Sequence, residues 1–467
     1  MANGRLFSRP MSASIPLRVA IVGTGPSGFY AAEHLLKVHP GVEIDLIDRL
    51  PTPYGLVRGG VAPDHQKIKS VTRVYEKIAA KPAVRFLGNV TFGRDLSREE
   101  LLRHYHAVIY AVGAPTDRNL GVAGEELAGS HAATDFVGWY NGHPDYRNKV
   151  FDLSQPSVAV IGMGNVAVDV VRILARTPEE LHGTDIAEYA LEALRQSRVR
   201  DIYMIGRRGP VQGAFTNPEL KELGEMPGAD IDVRAADLEL DPGSTAALAA
   251  TDDKTPEKNL ATLRHFAAKR AEGKGKTIHL RFLLSPVALQ GEGRVERIVL
   301  GHNRLVPAAS GDLKAESAGV SETLPTGLVF RSVGYHGVAL PGVPFDQKRG
   351  VIPNTAGRVL STGGAPLPGE YVVGWIKRGP SGVIGTNKPD ALESTNALLS
   401  DYNGGALAAP AITDREALPR LLVSRGVRIV TWQDWQRLDA LEKARGEALG
   451  RPRLKFTRIE EMLGALG

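Results

Sequence analysis

The chain has 467 residues, 43% hydrophobic and 23% charged, with a net charge of +5 and a pI near 9.2. That is enough chain for two or three domains with large apolar cores, and the mild basicity permits an acidic partner. It has no cysteine and no apolar run of about 18 residues, which excludes disulfide staples, cysteine-ligated iron–sulfur clusters in this chain, a redox-active C-x-x-C pair and a membrane-spanning helix.

Residues 1–17, MANGRLFSRPMSASIPL, carry Arg5 and Arg9, several serines and no acid. They read either as a flexible extension ahead of Met11 or as a faint transit peptide. RVAIVGTGPSGFYAAEHLL (18–36) then gives an apolar run without alternation, the mark of a parallel strand covered on both faces. Gly23, Gly25 and Gly28, with Pro26 and Ser27 between them, turn that strand into a helix whose first amides face a pyrophosphate. VEIDLID (42–48) is the next strand and ends in Asp48, a carboxylate that accepts hydrogen bonds from the ribose of FAD or NAD. APDH (62–65) sets Asp64 beside His65, either a proton relay near a flavin or a pair that shapes a turn. HAVIYAVGA (106–114), which contains Gly113, is a short β run.

SVAVIGMGNVAVDVVRILA (157–175) aligns without a gap on the first unit, with Gly162, Met163, Gly164, Asn165 and Val166 at the turn and Ala167 in place of Gly28. One Gly-x-Gly-x-x-Gly is weak evidence. Two in full strand–turn–helix context predict two dinucleotide sites, against a duplicated scaffold with one dead site. A helical insertion near 185–198 delays the matching strand, DIYMIGRRG (201–209), which ends in Arg207 and Arg208 instead of a carboxylate. Two guanidinium groups there grip a 2′-phosphate and select NADP over NAD; otherwise they are two solvated surface arginines. Glu219 in TNPELKEL opens a helix, where an acid also favours the dipole. LRHFAAKRAEGKGK (263–276) ends in a basic tail with Arg264, Lys269 and Arg270.

LVFRSVGYHG (328–337) is a second β run ending in glycine, and with 106–114 it predicts two parallel crossings between domains. Glycine and proline clusters at 341–370 read as loop and turn. GPSGVIGT (379–386) is a glycine-rich turn entering a helix, which aims amides at the electron-rich edge of a flavin. Residues 410–467 read as outer helices and a strand. One site of each kind suggests FAD held permanently and NADPH visiting.

GLVRGGVAPDHQKIKSV (55–71), AVIYAVGAPTDR (107–118), VIGMGNVAVDVVRILA, IGRRGPVQGAFTNPEL (205–220) and YVVGWIKRGPSGVIGTNK (371–388) resemble the adrenodoxin reductase family. The resemblance runs from about residue 18 to the C-terminus and is weakest in 228–330. It implies an α/β protein with two Rossmann-like domains on parallel central sheets, the NADP domain (116–338) inserted in the FAD domain (1–115 and 339–467). It places Ser27 at the FAD pyrophosphate, Asp48 at the ribose, and Leu56 and Gly113 in the flavin site. Val90 and Phe92, in a strand RFLGNVTF, line the adenine, and Trp375, Gly382, Val383 and Ile384 meet the isoalloxazine. For NADP it implies Asn165 and Val166 at the pyrophosphate, Arg118, Arg207 and Arg208 at phosphates, and Glu219 with Gly382 at the nicotinamide. His65, Asp64, Glu219 and Trp375 are its candidate catalytic residues. The family's usual acid at the first ribose is a glutamate, and Asp48 is one methylene shorter.

The implied activity is NADPH–ferredoxin oxidoreduction in the cytoplasm, with electrons leaving singly to a separate, acidic iron–sulfur protein. That partner docks transiently on a basic face near Arg264, Lys269 and Arg270 of a monomer. The alternatives are a flavin monooxygenase and the electron-input subunit of a larger complex. The charge is low and lacks aromatic interleaving, which argues against nucleic acid, and no metal-ligand spacing is present.

Overall fold

The computed structural model describes residues 15–309 and 311–467; the readings of residues 1–14 lie outside them. The chain forms two compact units, the first from residues up to Gly55, Val71–Ala114 and Gly337–Gln436, the second from Leu56–Ser70, Pro115–His336 and Arg437–Gly467.

The first unit opens with β1 (Arg18–Val22), β2 (Glu43–Ile47), β3 (Val84–Leu87) and β4 (Ala107–Tyr110). The second carries β5 (Thr116–Asp117), β6 (Ser130–Ala132), β7 (Ser157–Ile161), β8 (Asp201–Ile205), β9 (Ala229–Val233), β10 (Lys276–Arg281), β11 (Leu284–Gln290), β12 (Arg297–Pro307), β13 (Leu313–Pro325), β14 (Leu328–Arg331) and β15 (Tyr335–His336). The chain then returns to the first unit for β16 (Asn354–Thr355), β17 (Arg358–Leu360) and β18 (Pro366–Val372).

Each unit is built on one sheet. In the first, the order is β16-β17-β18-β4-β1-β2-β3, parallel from β18 onwards. Strand β1 is buried at every position and sits between β4 and β2, with Val19 opposite both Ala107 and Ile44. In the second, β6-β14-β7-β8-β10-β9 is parallel throughout. Both fingerprint strands are therefore central, as their unbroken apolar runs require. A three-stranded antiparallel sheet, β11-β12-β13, packs Leu284, Leu289, Ile298 and Leu300 against Ala159, Ile161 and Ile205 of the second sheet.

Four readings of the sequence are corrected. The runs 106–114 and 328–337 are not two like parallel strands: Ala107–Tyr110 belongs to the first sheet and Leu328–Arg331 to the second, and just beyond the first run Thr116–Asp117 pairs antiparallel with Tyr335–His336 as a two-stranded ribbon. The glycine- and proline-rich stretch 341–370, expected as loop and turn, contains β16, β17 and most of β18: a short antiparallel edge tolerates such turn residues. The strand expected in 410–467 is a single bridge, Val430 opposite Gly88, among the helices Ala417–Ser424, Trp432–Glu447 and Ile459–Ala465. Finally, the resemblance places 56–70 and 437–467 with the first unit, whereas they pack with the second.

Buried ion pairs account for that last difference. Lys69 Nζ lies 2.6 Å and Lys455 Nζ 3.0 Å from the same carboxylate, Asp185, and Arg58 pairs with the fully buried Glu442. Burial pushes Asp185 towards protonation, but the two ammonium groups prevail and hold it well below the usual carboxylate range. Such pairs are costly to separate, so both segments are bound to the second unit.

Candidate functional site

The first fingerprint turn is shaped for a ligand. Gly23 has φ +105°, and a β-carbon there would lie 2.5 Å from Ala111 O; at Gly28 it would lie 2.3 Å from Gly23 O. Those two glycines permit close strand and helix packing. At Gly25, by contrast, a β-carbon would meet nothing nearer than Gly55 Cα at 4.0 Å, and the helix Pro26–Val38 starts there with no side-chain cap. Open space in front of uncapped amides is what a pyrophosphate needs. Asp48 directly follows β2, and its carboxylate accepts from Thr24 N at 3.0 Å, Thr24 Oγ1 at 2.5 Å and Leu50 N at 3.0 Å. It thereby ties the strand end to the turn.

Ser27 is also approached by the other end of the first unit. Gly374, at φ +79°, is so close that a β-carbon would lie 2.5 Å from Ser27 Oγ, and Gly374 N donates to Asp390 Oδ2. Trp375 follows, its indole N–H donating to Ser381 O at 3.2 Å, while Arg378 donates to Ser381 O and to Asn387 Oδ1. The turn 379–386 is thus held in place while Gly382 and Val383 stay exposed ahead of the helix Asn387–Asn403. Gly113 lies after β4 with φ +71° and open space around it. The residues present fit an FAD: a pyrophosphate turn, an acid at the strand end, and a fixed indole beside an open amide loop. Val90 and Phe92 differ from expectation. They lie beyond the end of β3, packed into the apolar core, with Phe92 edge-on to Tyr110. Leu56 opens a short helix of the second unit and is partly exposed.

The second turn repeats the first. A β-carbon on Gly162 would lie 2.2 Å from Ser332 O, whereas Gly164 has nothing within 4 Å and begins the uncapped helix Asn165–Ala175. Asn165 Oδ1 accepts from Thr216 N at 2.8 Å, so its side chain ties down the residue before the helix Asn217–Gly224 while its backbone stays at the turn. Met163 packs over Gly206 and Val166 against the core. Arg207 and Arg208 follow β8, Arg207 exposed and Arg208 half-buried, and among the described residues neither pairs with a carboxylate. Two adjacent cations with no carboxylate partner among the described residues have the chemistry to receive an anion. Arg118 joins the ribbon through its amide to Gly334 O.

Within the same unit, Asp64, His65 and Glu219 come together around a residue the sequence reading passed over. Arg172 has no exposed surface and donates to Asp64 at 2.7 and 3.1 Å, Asp169 at 2.6 Å and Glu219 at 3.3 Å. His65 Nε2 lies 2.9 Å from Glu222 and 3.7 Å from Glu219. Asp64 also takes Arg176 at 2.7 Å. Burial favours its protonated form, but Arg172 and Arg176 win and hold the carboxyl well below the usual range. Asp64 is therefore an anchor that carries no proton near neutrality, not half of a relay with His65. Burial raises Glu219 and Asp169 instead. His65, Asp169 and Glu219 offer atoms within 4.8 Å of one another, and the cation among them is the Arg172 guanidinium. The signal missed was three charges, Asp169, Arg172 and Arg176, at helical spacing in an apolar run.

Arg264 and Arg270, at the end of the helix Thr255–Ala268, are exposed, while Lys269 donates to Gly224 O at 3.3 Å and lies 3.5 Å from Glu272.

The chain is similar to known proteins along most of its length. The family model described as pyridine nucleotide-disulphide oxidoreductase matches residues 17–205. The chain is 47% identical over 451 residues to the NADPH-ferredoxin reductase FprA of Mycobacterium leprae (strain TN), covering 95% of this chain and 97% of that one. It is 40% identical over 472 residues to the mitochondrial NADPH:adrenodoxin oxidoreductase of Arabidopsis thaliana, covering 99% and 97%. Against the solved structure of Mycobacterium tuberculosis FprA in complex with NADPH it gives a TM-score of 0.91 at 46% identity, over 97% of this chain and all of that one.

Proposed function

Since this chain belongs to the adrenodoxin reductase family of NADPH–ferredoxin reductases, we propose that it is an FAD enzyme that oxidises NADPH and reduces a ferredoxin-type iron–sulfur protein. The observation that carries this is the contrast between two like turns: the strand after the first is followed at once by Asp48, the strand after the second, past Gly206, by Arg207 and Arg208. Asp48 suits an adenosine ribose without a 2′-phosphate, and the arginine pair suits one with it.

When bound, FAD accepts electrons as a pair and passes them on singly, a task for which the chain's own side chains have no equivalent. The residues bind and orient. The amides at Ser27 and Gly28 hold the FAD pyrophosphate, Asp48 its ribose, and Trp375 with the 379–386 turn fixes the ring end. The Gly164–Asn165 turn holds the NADPH pyrophosphate, and Arg207 and Arg208 its 2′-phosphate. Glu219 accepts from the carboxamide NH₂ of the nicotinamide and, as an anion, favours the positive ring of the oxidised product. His65 sets its Nε2 between Glu219 and Glu222, 3.7 and 2.9 Å away.

The electron acceptor is an acidic ferredoxin that docks transiently on Arg264, Lys269 and Arg270 of a monomer in the cytoplasm, a reducing compartment that suits a chain without cysteine. The test is reduction of cytochrome c by NADPH with and without added ferredoxin. The proposal expects a rate that needs ferredoxin and falls with salt. Rapid NADPH oxidation in air that ferredoxin does not alter would point to a monooxygenase, and co-purification of a large stable partner to an electron-input subunit.

A further inference from the structure

Three consecutive carbonyls in the turn that carries the arginine pair are held by the chain beyond β10. Gly206 O accepts from Leu284 N at 3.0 Å and Arg208 O from Leu283 N at 3.1 Å. Between them, Arg207 O accepts from the side-chain amide of Asn303 at 2.9 Å. The outer two are backbone bonds, indifferent to side-chain identity. The middle one, on the arginine itself, depends on a single side chain.

Asn303 has no freedom to turn away. Its amide also donates to Ser285 Oγ at 2.7 Å, and its backbone N–H donates to Leu283 O at 2.8 Å. The backbone is bent to allow this. Leu283 sits at φ +55°, a left-handed conformation that a β-carbon disfavours, and the ladder between β12 and β13 slips between Gly301 and Asn303. Bulges and left-handed residues that re-aim one side chain cluster at functional sites. The base they stand on is rigid, because Leu284 and Leu300 lie in the apolar layer over β7 and β8, and buried Arg281 reaches Glu322 of β13 at 2.8 Å.

We propose that Asn303 is a positioning residue for recognition of the 2′-phosphate, acting through the Arg207 peptide; this rests on Arg207 and Arg208 being the phosphate grip. With that peptide fixed, the exposed guanidinium starts near the geometry it needs and loses less freedom on binding. The amide matters as well as the size. A carboxylate at 303 cannot donate to Arg207 O, and it offers the guanidinium a rival anion.

The test is calorimetric binding of 2′,5′-ADP to the holoenzyme, with KM and kcat measured for NADPH and NADH. Asn303→Ala weakens 2′,5′-ADP and raises KM for NADPH about three- to tenfold, while kcat and the KM for NADH stay as they were. Asn303→Asp keeps the volume, serves where the alanine variant does not fold, and weakens phosphate binding further. Equal losses for NADPH and NADH, or unchanged 2′,5′-ADP binding in both variants, overturn the positioning role. Arg207→Ala, measured alongside, separates the two levels. If it weakens 2′,5′-ADP and Asn303→Ala does not, the grip stands and only this inference fails; if it too has no effect, the grip itself fails and the inference with it.

Discussion

Arg172, sealed from solvent and bonded to Asp64, Asp169 and Glu219, is the keystone of its cluster. Replacing it by methionine keeps most of the volume and leaves those carboxylates without their central cation, a loss of about 3–5 kcal/mol near neutrality. The pH dependence has a definite sign. Asp64, held low by its arginines against burial, contributes stability that is complete above the ordinary carboxylate range and lost as pH falls through its folded value. Asp169 and Glu219, held high by burial, contribute in the opposite sense, their share lost as pH rises through their folded values. Without Arg172 all three shift upwards, so the deficit of Arg172→Met shrinks on acidification towards about pH 5. Denaturant unfolding at both pH values checks this, and an equal deficit at both contradicts it. Glu219 itself gives a kinetic prediction. With its anion in the proposed role of orienting the carboxamide, kcat is expected to fall as pH drops through its raised value, and Glu219→Gln to lower kcat about tenfold and abolish that limb. None of this cluster was legible beyond the separate presence of His65, Asp64 and Glu219. A buried arginine in an apolar helix announces itself in sequence only as an interruption, and its partners come from three separate stretches of chain.

The two turns were the most legible elements, because each needs a particular small residue at a particular place. Their glycines nevertheless divide into two kinds that the motif alone does not separate. A β-carbon on Gly28 runs into Gly23 O, whereas one on Gly25 or Gly164 enters open space at an extended φ. Gly28→Val is therefore expected to prevent folding. Gly164→Val folds with stability within about 0.5 kcal/mol of the parent and keeps its flavin, yet loses NADPH affinity by more than tenfold. Gly25→Val gives the converse, a protein that purifies without flavin. Thermal melts with and without each nucleotide distinguish these outcomes, and a Gly164→Val protein that binds NADPH normally contradicts the assignment of that turn. The edge strands β16–β18 were illegible for the opposite reason: turn residues are compatible with a short antiparallel edge, so they do not report its pairing. The β11–β13 sheet fell where the family resemblance is weakest, and its relation to Arg207 emerges only from the bulge at Asn303.

At the scale of the molecule, two fingerprints in one chain predict two parallel sheets, and both are present with their fingerprint strands at the centre. The sequence does not reveal which unit holds Leu56–Ser70 and Arg437–Gly467, because that is decided by buried pairs between residues far apart, Lys69 and Lys455 on Asp185, Arg58 on Glu442. Charge gives the prediction for the partner. Arg264→Glu with Arg270→Glu raises KM for an acidic ferredoxin about tenfold at low salt, with NADPH–ferricyanide activity unchanged, and the difference fades as salt screens it. The central claim, a chain that holds FAD and reads the 2′-phosphate of NADPH, is tested most directly by anaerobic titration of the purified protein's flavin absorbance with NADPH and, separately, NADH. The account predicts a yellow protein bleached by NADPH at about tenfold or more lower concentration than by NADH, with that gap closed in Arg207→Ala/Arg208→Ala. Bleaching by NADH at equal or lower concentration would contradict the phosphate grip, and a colourless protein that takes up no FAD would contradict the account as a whole.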